Sequence, residues 1–138
     1  MPTSPQPILV VDDDADLREA LGAVLHDEGY LVATVENGEQ ALTVLRAGAR
    51  PCMVLLDEKM PVLDGLEFRR RQLAEPEIAK IPVVLFTGDG RNEETAKSLG
   101  IDYFLTKPVD LLRLLEVVAH FCADPDRLEF PGPVSAAG

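Results

Sequence analysis

Polar residues follow four short apolar runs of the chain. Apolar runs of this length are typical of strands that are buried on both faces of a parallel sheet. Because the carboxyl ends of parallel strands share one edge of a sheet, the polar side chains are expected to converge there in one pocket. They are Asp12 and Asp13 after residues 8–11, Asp57 after 53–56, Thr87 after 81–86, and Lys107 at the end of 103–107.

The chemistry of these residue types indicates a phosphoryl-transfer site. Three carboxylates in one pocket repel each other unless a cation lies between them, and an all-oxygen donor set suits Mg2+ far better than zinc. Lys107 adds a fixed positive charge and Thr87 adds a hydroxyl group. In such a site Asp57 is the nucleophile, while the metal and Lys107 neutralise the phosphoryl oxygens. For Asp57 taken alone, the competing interpretation is a turn cap after the strand.

The order of apolar periodicities predicts the fold class. Short β-rich runs alternate with helical patterns five times, which favours a doubly wound α/β protein of the (βα)5 type, with helices on both faces of a five-stranded parallel sheet. The predicted strands are 8–11, 31–35, 53–57, 81–86 and 103–107. The last predicted helix begins after Asp110, with a buried side of Leu111, Leu112, Leu115, Val118, Ala119 and Cys122.

Length and charge limit the classes of function. The 138 residues (15.0 kDa) suffice for one domain, and the net charge of −11 argues against broad binding of a nucleic-acid backbone. No apolar stretch approaches the ~20 residues that span a bilayer. Because the N-terminal sequence lacks the pattern of a secretory signal, a cytoplasmic protein is expected. We expect a lead-in at residues 1–7, the domain at 8–122 and a tail at 123–138.

Two further sequence features have competing interpretations. Cys52 and Cys122 lie in apolar contexts without a CxxC motif, which favours buried free thiols over a disulfide or a metal site. The consecutive residues Arg69, Arg70 and Arg71 fall in the third predicted helix. A solvated helix face is the favoured interpretation, and a binding patch is the alternative.

The motifs of the chain resemble those of response-regulator receiver domains over about residues 7–122. The resemblance implies a flavodoxin-like fold with sheet order 2-1-3-4-5. It also implies that Asp57 accepts a phosphoryl group from a sensor histidine kinase or a phosphotransfer protein. The motifs occur in order: Val10-Val-Asp-Asp-Asp14, Leu55-Leu-Asp-Glu-Lys-Met-Pro61, Asp64-Gly65, Phe86-Thr-Gly88 and Thr106-Lys-Pro108.

The same resemblance implies a role for each site residue. Asp13 and Asp57 would bind Mg2+ directly, Asp12 would bind it mainly through water, and the backbone carbonyl of Lys59 would add a further oxygen. The side chain of Lys59 could pair with a phosphoryl donor or with the acidic pocket, or it could simply be solvated. Thr87 and Lys107 would hold the phosphoryl oxygens. The Lys107–Pro108 peptide bond would be cis.

The resemblance also implies a conformational switch. When the phosphoryl group draws the Thr87 hydroxyl inward, an aromatic side chain three residues before Lys107 moves into the vacated space. That residue is Phe104, for which a simple core role is the alternative. The stretch between Thr87 and Lys107 is shorter than in many relatives, so the fourth helix or its leading loop is expected to be short. Since this region forms the usual output surface, a homodimer is possible, but transferring the standard dimer of the family to this chain is unsafe.

Two other functions compete with a phosphorylation-dependent signalling module. A receiver-like scaffold would act without phosphorylation, although none of the acidic, Thr or Lys positions is missing. A phosphatase of the haloacid-dehalogenase type needs a second Asp two residues after the nucleophile, where this chain has Lys59. The expected partners are the phosphoryl donor and a downstream protein target, without direct contact with nucleic acid or membrane. A stand-alone regulator is favoured over a piece of a longer one.

Overall fold

The five strands form one parallel sheet in the order β2-β1-β3-β4-β5. The computed structural model describes residues 6–88 and 90–122, so the proposed tail and most of the lead-in lie outside the described residues. The predicted fold class and sheet order are confirmed. The elements are β1 (Ile8–Val11), α1 (Ala15–Asp27), β2 (Val32–Val35), α2 (Gly38–Arg46), β3 (Met53–Asp57), α3 (Gly65–Leu73), β4 (Val83–Thr87), α4 (Glu93–Ser98), β5 (Tyr103–Thr106) and α5 (Leu111–Phe121).

The sheet separates two apolar layers. Every residue of β1, β3 and β4 is buried, because helices cover both faces of these central strands. One layer packs α1 and α5 against the sheet, through residues such as Leu21 and Leu114. The other layer packs α2, α3 and α4, through residues such as Leu42, Phe68 and Ala96. This three-layer arrangement holds the carboxyl ends of the strands rigidly along one edge.

Side-chain caps begin four of the five helices. The carboxylates of Asp14, Asp64 and Asp110 and the amide oxygen of Asn37 each accept a hydrogen bond from a backbone N–H in the first turn of their helix. Asn92 precedes α4, but among the described residues its side chain makes no such cap. The start of α4 is therefore held in a different way from the other helix starts.

The buried face of α5 differs from the predicted one. Leu111 and Leu112 are 46% and 77% exposed, whereas Leu114 and Val117 are buried. The predicted face is therefore wrong at the start of the helix, and Ala119 is also exposed. The sequence offers two apolar stripes at helical spacing, and only the packing of α5 on the sheet selects between them.

The two cysteines form a disulfide bond, so the prediction of free thiols is wrong. Cys52 precedes β3 and Cys122 follows α5, and their Cα atoms lie 5.4 Å apart. They are separated by 70 residues in the sequence, which is why spacing gave no sign of the pair. The bond connects the two elements at the edge of the sheet where β3 begins, opposite the edge where the strands end.

Arg69 does not lie on a solvated helix face, in contrast to the prediction for the three arginines. Its side chain is only 7% exposed. The guanidinium donates hydrogen bonds to the carbonyl of Leu99 (2.8 Å) and to the side-chain oxygen of Gln72 (2.9 Å). Burial lowers the pKa of Arg69, although the negative charge of Asp102 acts to raise it. By contrast, Arg70 and Arg71 are exposed and make ion pairs on the surface. Arg69 thus anchors the end of α4 to α3.

Candidate functional site

The pairing of β1 with β3 brings the acidic residues together. Val11 of β1 pairs with Leu56 of β3. Asp12 and Asp57 are the next residues along these two neighbouring chains, so they lie side by side. Carboxylate oxygens of Asp12, Asp13 and Asp57 all lie within 4.8 Å of one another. Asp12 and Asp57 are buried, and Asp13 is exposed. The predicted acidic cluster is therefore present at the carboxyl edge of the sheet.

Asp12 is fixed by the chain that follows it. One carboxylate oxygen (Oδ1) accepts a hydrogen bond from the backbone N–H of Asp14 at 2.8 Å. The guanidinium of Arg18 donates to the backbone carbonyl of Asp12 at 2.7 Å. The other oxygen (Oδ2) is buried and has no hydrogen-bond partner among the described residues. The Lys107 ammonium nitrogen lies 3.5 Å from this oxygen, so a bound cation would share it with Lys107.

Lys107 directly follows β5, one residue beyond the end of the strand, and faces the acidic cluster. Its ammonium nitrogen lies 3.2 Å from Asp57 Oδ1 and 3.5 Å from Asp12 Oδ2. The backbone N–H of Lys107 donates to the carbonyl of Thr87 at 3.2 Å, which ties the ends of β4 and β5 together. The Lys107–Pro108 bond is cis, as the resemblance implied.

Burial and charge act together on the ionisation of the site. Burial, followed by repulsion from Asp12, raises the pKa of Asp57 to about 6, although Lys107 and the backbone N–H of Lys59 oppose the shift. Burial alone would lower the pKa of Lys107, but the attraction of Asp57 and Asp12 outweighs it and raises that pKa above its usual value. Asp57 is therefore largely ionised at neutral pH, and Lys107 is protonated.

Thr87 ends β4 with its side chain buried beside the site. It is 2% exposed, and its hydroxyl oxygen accepts a hydrogen bond from the backbone N–H of Gly90 at 2.8 Å. The positive φ of Gly90 (73°) is a conformation that side chains other than hydrogen disfavour. Gly90 is thus bound to the same hydroxyl group that is predicted to hold a phosphoryl oxygen.

A close turn joins Asp57 to α3. A Cβ atom added to Gly65 would lie 2.5 Å from the backbone carbonyl oxygen of Asp57, so only glycine fits there. The N–H of Gly65 donates to the carbonyl of Glu58 at 2.9 Å. Lys59 lies on the outer side of this turn with an exposed side chain. The role of the Lys59 backbone carbonyl as a Mg2+ ligand stays a prediction.

The two aromatic residues of β5 lie on opposite faces of the sheet. Phe104 pairs with Leu85 of β4 and is half-buried against the layer of α2, α3 and α4. Tyr103 packs on the other face with His120 and Phe121 of α5, and its hydroxyl lies 3.1 Å from His120 Nε2. Phe104 is therefore on the α4 side of the sheet, and its role as a switch residue stays a prediction.

Sequence reasoning missed the position of Glu58. Its side chain is only 4% exposed, and one carboxylate oxygen accepts a hydrogen bond from the side-chain amide of Asn92. The other oxygen is buried with no hydrogen-bond partner among the described residues. The sequence showed an acidic residue directly after Asp57, but it gave no sign that this residue points inward and contacts the start of α4.

The chain belongs to the response regulator receiver domain family, whose model matches residues 8–119. An uncharacterised 14.6 kDa protein of Leptolyngbya boryana is 38% identical over 117 residues, which is 83% of this chain and 88% of that protein. The DNA-binding response regulator MtrA of Mycobacterium bovis is 39% identical over 110 residues, or 78% of this chain. The chain spans only 46% of the length of MtrA.

Solved structures agree with this assignment. A response regulator receiver protein from Pseudomonas putida superimposes with a TM-score of 0.79 at 33% identity, covering 86% of this chain and 99% of that one. The receiver domain of a sensor histidine kinase from Pseudomonas aeruginosa PAO1 gives a TM-score of 0.78 at 26% identity, covering 88% and 100%. That structure has a magnesium ion coordinated in its active-site cleft. The chain is thus a receiver domain of the two-component response-regulator class.

No helix within residues 6–88 and 90–122 is long and apolar enough to cross a membrane.

Proposed function

We propose that this receiver domain takes a phosphoryl group onto Asp57 in a Mg2+-dependent reaction and thereby changes its contacts with other proteins. The observation that carries the proposal is the meeting of three carboxylates within 4.8 Å of one another, with the Lys107 ammonium 3.2 Å from Asp57. A cluster of this charge needs a cation for balance, and Lys107 supplies only one positive charge.

The donor set fits Mg2+. All three side chains offer oxygen ligands, and the buried Asp12 Oδ2 lacks a hydrogen-bond partner among the described residues. Asp13 and Asp57 would ligate the ion directly, Asp12 mainly through water, and Lys59 through its carbonyl. When bound, the ion would neutralise charge on the phosphoryl oxygens.

The residues of the chain divide the reaction between them. Ionised Asp57 attacks the phosphorus of the donor in line, so a carboxylate O–P bond forms while the bond from phosphorus to the leaving group breaks. With a phosphohistidine donor, the imidazole nitrogen leaves with the bonding electron pair. Lys107 pairs with one phosphoryl oxygen and the Thr87 hydroxyl donates to another. Hydrolysis of the resulting acyl phosphate returns the domain to its resting state.

The partners follow from this chemistry. We propose a sensor histidine kinase or a phosphotransfer protein as donor and a protein target for output, with action in the cytoplasm, where ATP supplies phosphoryl groups. The domain would assist its own phosphorylation and dephosphorylation without being an enzyme for a free substrate. DNA binding is a property of MtrA, and this chain covers less than half of the length of that protein. We propose the domain at residues 8–122 as the functional unit, with Thr87 and Phe104 as its switch residues.

Calorimetric titration with Mg2+ tests the metal half of the proposal. Asp13→Ala should weaken Mg2+ binding at least about tenfold, because it removes one of the two carboxylates proposed to ligate the ion directly. Asp16→Ala is the matched control, since Asp16 is an exposed carboxylate in the first turn of α1 outside the cluster. Equal affinities of the two variants would contradict the assigned site. Failure of the wild-type protein to bind Mg2+ would favour a scaffold instead.

A further inference from the structure

The start of α4 is held by the side chain of the residue that directly follows the phosphoacceptor strand β3. Asn92 occupies the N-cap position, yet its amide donates to the buried carboxylate of Glu58 and makes no cap to α4 among the described residues. Its backbone angles (φ −102°, ψ 18°) also differ from the extended conformation of the four capping residues. The residue that would ordinarily stabilise the helix start is thus directed toward the neighbour of Asp57.

Helix α4 is therefore attached at both of its ends to residues between β3 and the end of α3. At its start, Asn92 contacts Glu58; at its end, the carbonyl of Leu99 accepts from the buried guanidinium of Arg69. The helix itself has six residues, of which only Ala96 is buried. Since only one residue of this short helix is buried, these two polar contacts add substantially to what holds α4 in place.

A second contact links the same segment to the switch residue. The Gly90 N–H donates to the Thr87 hydroxyl, two residues before Asn92. If Thr87 turns toward a phosphoryl group, the backbone around Gly90 has to follow or release it. The Glu58–Asn92 hydrogen bond holds the far end of this segment in place and so opposes the movement.

We infer that Glu58 is a positioning residue whose hydrogen bond to Asn92 stabilises the resting arrangement of α4 and is released when Asp57 is phosphorylated. This inference rests on the proposed function of Asp57. Once released, the Asn92 side chain is free to cap α4, so the two arrangements exchange one hydrogen bond for another. Because of this exchange, the start of α4 has two alternative arrangements, and a small change at the phosphoryl site can shift the equilibrium between them.

The test compares rates of phosphorylation with acetyl phosphate at saturating Mg2+ for the wild type, Asn92→Ser, Glu58→Ala and the double variant. Serine lacks the amide that reaches Glu58 but can still cap α4. Each single variant should react about fivefold faster or more, since the contact that favours the resting state is gone. The double variant should react no faster than either single one, as expected for two partners of one contact. Glu58→Gln is the control for charge, because its amide oxygen still accepts from Asn92, and it should stay close to the wild-type rate.

Unchanged rates in both single variants would overturn the inference, and so would equal acceleration by Glu58→Gln and Glu58→Ala. A variant that is only less stable would lose rate instead of gaining it. If Asn92→Ser does not fold, Asn92→Asp replaces it, since aspartate can cap a helix but cannot donate a hydrogen bond to Glu58.

A second readout separates this inference from the proposed function. Hydrogen exchange at the Gly90 amide requires no phosphoryl donor, and in Asn92→Ser it should be at least about fivefold faster than in the wild type. A wild-type protein that accepts no phosphoryl group would contradict the proposed function alone. Exchange at Gly90 that is unaltered by Asn92→Ser would contradict the inference alone.

Discussion

At Asp57, burial and the neighbouring Asp12 raise the pKa to about 6 from 3.8, while Lys107 opposes the shift. The folded protein therefore holds a proton more tightly than the unfolded chain does between about pH 4 and 6. In that window the free energy of unfolding falls as the pH rises, because ionising the buried carboxylate is unfavourable in the native state. Asp57 thus lowers the stability of the metal-free protein at neutral pH, as a reactive group in a strained site is expected to do.

Asp57→Asn should accordingly stabilise the metal-free protein at pH 7.5 by about 1–3 kcal/mol, since a shift of about two pKa units corresponds to roughly 3 kcal/mol. At pH 4 the gain should largely disappear. Urea unfolding in the presence of a chelator measures both values. Asp27→Asn, at an exposed carboxylate near the end of α1, is the control. A variant at position 57 that is no more stable than this control at pH 7.5 would contradict the account of the site.

Lys107 is expected to act on the phosphoryl group and not on the metal. Its ammonium lies 3.2 Å from Asp57 and competes with a cation for the same carboxylates. Lys107→Ala should therefore leave Mg2+ affinity unchanged or raise it a few-fold, while phosphorylation no longer changes the conformation of the α4 side. Calorimetry gives the affinity, and hydrogen exchange with and without acetyl phosphate gives the conformational response. A collapse of Mg2+ binding would show that the assigned role is wrong.

At the scale of elements, α3 determines where α4 ends. The buried guanidinium of Arg69 bonds to Leu99 and Gln72, so its removal would leave buried acceptors without a donor. Arg69→Met should cost about 2–4 kcal/mol of unfolding free energy. Arg70→Met is the matched control one residue away, and its exposed ion pair with Glu67 should contribute less than about 1 kcal/mol. Urea unfolding compares them, and equal losses would contradict the anchoring role of Arg69.

The disulfide fixes the end of α5 to the beginning of β3. Because the bond closes a sequence separation of 70 residues, it restricts the unfolded chain strongly. Reduction of the wild type, or Cys52→Ser, should lower the free energy of unfolding by about 2–4 kcal/mol. The Mg2+ affinity should not change, since the bond lies at the edge of the sheet opposite the acidic cluster. Thiol titration establishes the redox state, and two free thiols in the unreduced folded protein would contradict the bond.

At the scale of the whole molecule, the net charge of −11 shapes the encounter with partners. Long-range attraction should favour proteins with basic patches, and added salt should slow their association. The acidic cluster contributes to this field from the carboxyl edge of the sheet.

The fold was largely predictable because burial on both faces leaves a strong pattern in the sequence. The runs before Asp12, Asp57 and Thr87 are apolar without interruption, and the polar residue marks where each strand ends. The convergence of these residues then follows from parallel topology alone. Their roles in phosphorylation stay predictions, because geometry without a phosphoryl group does not report them.

Contacts between distant segments could not be predicted in the same way. The disulfide joins Cys52 to a residue 70 positions away, and the direction of the Arg69 side chain depends on where α4 ends. Glu58 shows the same limit, since its partner Asn92 lies 34 residues further along the chain. Side-chain type gives the chemistry of a residue, but the packing of neighbouring elements decides whether it faces solvent or the core.

The most direct test of phosphorylation at Asp57 is the intact mass of the protein after incubation with acetyl phosphate, with and without Mg2+, for the wild type and Asp57→Asn. The account predicts a single phosphoryl adduct on the wild type that requires Mg2+ and is absent from the variant. An adduct that persists in Asp57→Asn, or one that forms equally well in a chelator, would contradict it.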